Sequence, residues 1–108
     1  MAKVEEALER LKRVVEELWP KAKTVEGALS IRYTLTSAEA AAKFAKACNL
    51  RLLLDWLQDL GRRFGEWQSV ENPPYADKMK VEEALDELKA AINSVLQERC
   101  ECKLKIET

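Results

Sequence analysis

Ala28-Leu29-Ser30-Ile31-Arg32-Tyr33-Thr34-Leu35-Thr36 is the stretch on which the fold turns. Its apolar residues Leu29, Ile31, Tyr33 and Leu35 alternate strictly with small or polar ones. A period of two places all four on one face of a β-strand. Immediately afterwards, Thr36-Ser37-Ala38-Glu39 has the spacing of a capping box, in which a hydroxyl serves the first-turn amides and a carboxylate reaches back to the cap. A helix is therefore expected from Thr36. Ala40, Ala41, Phe44, Ala45 and Cys48 carry its apolar side, and Asn49 stands as a left-handed terminator or a bend.

Outward from this centre the periodicity changes. Over residues 3–19, Val4, Ala7, Leu8, Leu11, Val14, Val15 and Leu18 recur every three or four positions and predict an amphipathic helix ended by Pro20. Residues 21–27 read as a polar connection. A further helix is expected over 50–64, with Leu53, Trp56, Leu57, Leu60 and Phe64 inward, then a loop over 65–77 marked by Gly65 and Asn72-Pro73-Pro74. The last helix covers 77–99 through Val81, Ala84, Leu85, Leu88, Ile92 and Val95. Residues 100–107 alternate again and predict a second strand. The expected fold is thus α+β in the order helix, strand, helix, helix, helix, strand. A small two-stranded sheet packs on the helices within one domain spanning residues 1–108.

Lys3-Val4-Glu5-Glu6-Ala7-Leu8 recurs letter for letter at 80–85, and Leu11-Lys12 matches Leu88-Lys89. The segments between do not match, and the repeated letters are common helix formers, so two similar amphipathic helices explain the echo better than a duplication.

Composition narrows the chemistry. With 108 residues the chain buries somewhat under ~70% of its unfolded surface, enough for a core without metal or disulfide staples. Eighteen Lys+Arg against nineteen Asp+Glu leave a net charge of -1 and no overall pull toward nucleic acid or anionic membrane. The absence of His excludes Ser-His-Asp and Cys-His catalysis. No apolar run approaches the ~20 residues of a membrane span, and the acidic, helical start differs from a signal or transit peptide. A cytoplasmic protein is expected.

Cys100 and Cys102 invite a metal or redox reading. In a strand their Cα atoms lie ~6.5–7 Å apart with near-parallel Cβ vectors, unsuited to bridging each other. Zinc would need further ligands that a chain without His supplies only from Cys48 and a carboxylate. Three small buried thiols in a reduced protein are the favoured reading; a bridge from Cys48 to Cys100 or Cys102 is the alternative. No metal, cofactor or catalytic residue is assigned. Asp55 and Asp59, one helical turn apart, read as partners for Arg51, Arg62 or Arg63.

The densest unusual stretch is Arg62-Arg63-Phe64-Gly65-Glu66-Trp67, followed by Tyr75 and Lys78. Clustered Arg with aromatics is hot-spot composition and also suits base stacking with phosphate pairing. Arg62, Arg63, Trp67, Tyr75 and Lys78 are therefore the candidate partner- or ligand-binding residues. A helix end whose aromatics plug the core is the competing explanation.

From Ile31 to Cys100 the chain resembles small proteins of unknown function encoded by bacteriophages and prophages. The likeness is carried by residues 33–39, by Leu50-Arg51-Leu52-Leu53-Leu54-Asp55-Trp56-Leu57 with Leu60 and Arg62-Arg63-Phe64, and by Val81-Glu82-Glu83-Ala84-Leu85. It implies an accessory protein of viral or mobile-element origin that acts by binding. The leading functional expectation is a non-enzymatic protein-interaction protein. A nucleic-acid or anionic nucleotide binder is the alternative, and an enzyme the remotest class. A homodimer is expected as well, formed by symmetric strand pairing or through the Val4, Leu8, Leu11, Val15 and Leu18 stripe of the N-terminal helix.

Overall fold

Residues 28–36 are helical, not extended. The computed structural model describes residues 2–100, with side chains from residue 3 onward, and among these there is no strand. The α+β expectation is thereby overturned. Helices α1 (Ala2–Leu18), α2 (Val25–Lys46), α3 (Leu50–Glu71) and α4 (Tyr75–Arg99) form an antiparallel four-helix bundle. A 3₁₀ turn, Trp19–Lys21, with Pro20 inside it, follows α1.

The alternation misled because it counted only large apolar residues. The face that α2 buries comprises Gly27, Ser30, Ile31, Thr34, Ser37, Ala38, Ala41, Ala42 and Ala45, a spacing of three and four built from small and hydroxyl side chains. Leu29 and Tyr33, half of the supposed strand face, are exposed. The buried Thr34 hydroxyl donates to the Ser30 carbonyl at 2.8 Å, so a polar group sits in the core without an unmet bond. Small residues also let backbones approach closely, and α2 and α3 run side by side along most of their length.

The helix start is likewise displaced. Thr24 caps α2, its hydroxyl accepting from the Gly27 amide at 2.9 Å. Thr36, expected to be a cap, lies in mid-helix and donates to the Arg32 carbonyl. At the far end Cys48, not Asn49, is left-handed, with φ 55. The Asn49 amide donates to Phe44 and the Cys48 amide to Ala45, the paired bonds of a Schellman ending. Asn49 then caps α3 by accepting from the Leu52 amide. The break at this point is real.

The loop expected over 65–77 shrinks to Asn72, Pro73 and Pro74. Helix α3 continues through Gly65 because Leu53, Leu60 and Trp67, seven residues apart, keep one buried stripe. A Cβ built at Gly61 or Gly65 meets no atom within 4 Å. Gly61→Ala and Gly65→Ala are each expected to stabilise the bundle by about 0.5–1 kcal/mol, since only helix entropy changes. Urea unfolding midpoints check this; a loss of stability at either site would place it outside a regular helix.

The direction of each helix follows from its contacts. Lys80 reaches Glu17 at 2.9 Å while Arg10 meets Glu83 and Glu87, so α4 runs against α1. Arg32 stacks on Trp19 and Lys46 pairs with Glu5, so α2 runs against α1. Ser37 meets Asp59 and Arg63 covers Tyr33, so α3 runs against α2. Val4, Leu11, Val15 and Leu18 are buried against this domain's own helices, which removes the α1 stripe as a free dimer face. The second predicted strand begins at Cys100, here the helical C-cap of α4, and its residues 101–107 lie outside the described residues. Strand pairing at 28–36 is ruled out as a route to a dimer.

Cys48 and Cys100 form a disulfide, with Cα atoms 5.5 Å apart, tying the C-terminal ends of α2 and α4. This is the alternative left open by spacing. The two helices run in the same direction, so both ends arrive at one pole of the bundle.

Candidate interaction surface

The arginines of the 62–67 stretch sit on the outward side of α3, beside α2. Asp59 organises them: Arg62 donates to Asp59 Oδ1, Arg63 Nε lies 3.8 Å from Oδ2, and the buried Ser37 hydroxyl donates to the same Oδ2. Glu66 completes the cluster, 3.2 Å from Arg62 and 3.5 Å from Arg63. The Arg63 guanidinium lies over the Tyr33 ring, 4.8 Å from its centre.

The Ser37 hydroxyl, with Arg62 beside it, holds the Asp59 carboxyl below the usual carboxylate range, against the opposing pull of partial burial. A depressed acid stabilises the fold above its unfolded pKa of about 3.9, and that contribution is lost as pH falls through the lower folded value. Ser37→Ala should therefore raise the Asp59 titration midpoint and move acid unfolding to higher pH. Carboxyl-carbon NMR titration reads this directly; an unmoved midpoint would remove Ser37 as the cause.

The five residues singled out from sequence do not converge. Trp67 is 2% exposed and stacks on Phe64, ring centres 5.9 Å apart, as part of the core. Tyr75 opens α4 and is 73% exposed. Lys78 lies 3.9 Å from Glu82 on its own helix. Only Arg62 and Arg63 are brought together, and both face carboxylates.

What sequence reading missed lies between α2 and α3. Val25, Leu29 and Tyr33 follow one another at i, i+4 and i+8 along α2, and Val70 meets the last two from α3. Leu29, Tyr33 and Val70 border a shallow groove of about 270 Å³ whose polar margin is Glu26, Glu66 and Arg63, and Val25 lies one turn of α2 before Leu29. Of the seven large apolar side chains exposed among the described residues, these are four, with Val25 at 77% and Tyr33 at 43%. The signal was present as an i, i+4 apolar spacing offset from the small-residue stripe, but it was absorbed into the strand.

Beside the groove, Glu71 plays a structural part. Its Oε2 accepts from the Lys23 amide at 2.7 Å, and its buried Oε1 lies over Gly27 with no hydrogen-bond partner. A carboxylate at the N-terminal end of α2 complements the helix dipole. A larger hollow of about 380 Å³ lies at the disulfide pole, between Val4, Val95, the Glu5–Lys46 pair, Glu98 and Arg99. It borders the last described residues. Among the described residues no three His, Cys, Asp or Glu side chains are placed to hold a metal, and no helix is long and apolar enough to cross a membrane.

Fold and surface together define a small disulfide-linked, antiparallel four-helix bundle with an apolar interhelical groove. Comparison with protein-family models, curated proteins and solved structures finds no match to this chain.

Proposed function

We propose that this chain is a non-enzymatic interaction protein whose contact surface is the α2–α3 groove. The observation that carries the reading is the gathering of the exposed Leu29, Tyr33 and Val70 along one groove with a polar margin, with the exposed Val25 one turn away on α2. Contiguous exposed apolar surface with a polar rim is what protein contacts use. Tyr33 under a guanidinium supplies an aromatic anchor of low conformational cost. A phosphate-binding role draws less support, because Arg62 and Arg63 already face Asp59 and Glu66. An accessory role of viral or mobile-element origin rests on the sequence resemblance alone. The reading places the protein in the cytoplasm; the Cys48–Cys100 bridge then calls for cells that keep intracellular disulfides, a hyperthermophile habit.

The test is selective capture. A protein retained by the wild-type chain should be lost with Leu29→Glu and with Val70→Glu, yet kept with Leu54→Glu, an exposed site elsewhere on α3. Capture indifferent to both groove substitutions would overturn the reading. So would binding to oligonucleotides that weakens steeply with salt in their place.

A further inference from the structure

We propose that a hollow on the seam between α1 and α2 binds a small aliphatic α-amino acid, held as its zwitterion. The hollow encloses about 320 Å³ and is lined by Val15, Glu16, Trp19, Arg32, Leu35 and Thr36. That volume is at the lower end of the ~300–1,000 Å³ of small-molecule sites. Two opposite charges face it without meeting. Arg10, Arg62 and Arg63 are each taken up by carboxylates. Arg32 instead lies over the Trp19 ring, 4.7 Å from its centre, and among the described residues no acceptor takes its guanidinium N–H groups. A guanidinium stacked on a ring is oriented in advance, with its donor fork free for a planar anion such as a carboxylate. Glu16 likewise has no cation within ion-pair reach among the described residues.

The offset of the two charges follows from the register of the seam. Glu5 stands level with Lys46 and Trp19 with Arg32, a constant antiparallel register that sets Glu16 level with Leu35. Leu35 is three residues from Arg32, so the two charges are staggered by about 4.5 Å along the axis. Val15, Leu35 and the Trp19 ring supply the apolar wall. A simple anion in this hollow meets Glu16, and a simple cation meets Arg32. A ligand with both charges close together and an aliphatic chain satisfies all three features: its carboxylate takes the Arg32 fork, its ammonium faces Glu16, and its side chain covers Val15 and Leu35. The Thr36 hydroxyl donates to the Arg32 carbonyl, which leaves its oxygen as a further acceptor for the ammonium. Trp19, 38% exposed, loses contact with water in the same step.

Titration of the full chain with L-leucine to ~20 mM, followed at the Trp19 indole N–H by NMR, tests the proposal; a Trp19→Phe variant assigns the signal. A saturating shift with a Kd of about 1 mM is expected. Arg32→Gln should weaken L-leucine about tenfold while leaving leucinamide, which lacks the carboxylate, unchanged. Glu16→Gln should weaken L-leucine while leaving N-acetyl-leucine, which lacks the ammonium, unchanged. Both variants should keep the wild-type helical circular dichroism, since neither side chain is buried. An indole signal that stays in place throughout the titration overturns the site. So does binding of leucinamide and N-acetyl-leucine as tight as that of L-leucine, or indifference of L-leucine to both substitutions. None of these outcomes bears on the α2–α3 groove, whose capture assay stands apart.

Discussion

Opening the Cys48–Cys100 bridge is expected to remove about 4 kcal/mol of stability. The two cysteines are separated by 52 residues, and closing a loop of that length restricts the unfolded chain far more than the folded one. Against the ~5–15 kcal/mol that holds a domain together, this is a large share. The melting temperature should fall by roughly 15–30 °C for a bundle of this size. Cys100→Ser should reproduce the effect of reductant, and Cys102→Ser should not, because Cys48 pairs with Cys100. Calorimetry of oxidised, reduced and Cys102→Ser protein makes the comparison. Equal loss from Cys100→Ser and Cys102→Ser would mean that the bridge is shared between the two.

The second large effect is expected at Gly27. A Cβ there would run into Glu71 Oε1, with Thr24 Oγ1 at 3.2 Å, so Gly27→Ala must displace the Glu71 carboxylate and disturb its bond from the Lys23 amide. Loss of that bond costs about 1–3 kcal/mol. The sign is informative, since Gly to Ala within a helix ordinarily stabilises. Glu71→Ala should itself destabilise by about 1–3 kcal/mol, leaving the Lys23 amide without its acceptor. The double variant Gly27→Ala, Glu71→Ala should then be less damaged than the two losses added, by ~1 kcal/mol or more. Strict additivity in denaturant unfolding would show that the two residues do not meet.

How legible the fold was depended on residue size. Helices α1 and α4 bury Leu, Val and Ile at spacings of three and four, and their limits lie within about two residues of where periodicity puts them. Helix α2 buries Gly, Ser, Thr and Ala against its neighbours, and such residues carry almost no hydropathy signal, while Leu29 and Tyr33 face water at alternate positions. The strongest alternation in the chain therefore cut across two faces of the helix, Ile31 in the core and Leu29 and Tyr33 on the outer surface. The continuation of α3 through Gly65 was hidden by a residue that usually punctuates, and only the seven-residue interval from Leu60 to Trp67 spoke for it. The candidate site was legible in part. Arg62 and Arg63 are at the surface beside the groove, but the carboxylates that occupy them come from a turn away on the same helix, and the Ser37 contact comes from 22 residues away. Trp67 was drawn into the core by the stripe that also extends the helix.

The echoed hexapeptide of α1 and α4 acquires a meaning in space that it lacks in the chain. Each letter at 3–8 returns at an offset of 77, and Arg10 and Glu87, which form an ion pair, are separated by the same 77. Because the helices are antiparallel, a local two-fold relates them, and its axis passes where Arg10 meets Glu87. The Lys80–Glu17 contact maps by that rotation onto Lys3 and Ser94, which border one shallow hollow. Where the axis passes, a side chain meets its own counterpart, so at this position a helix paired with a replica of itself would set Arg against Arg or Glu against Glu. The charge reversal at this one pair of equivalent positions turns that self-encounter into attraction. Two helices that share this hexapeptide are thereby held together at an equivalent position that would repel in a pairing of either helix with its own copy.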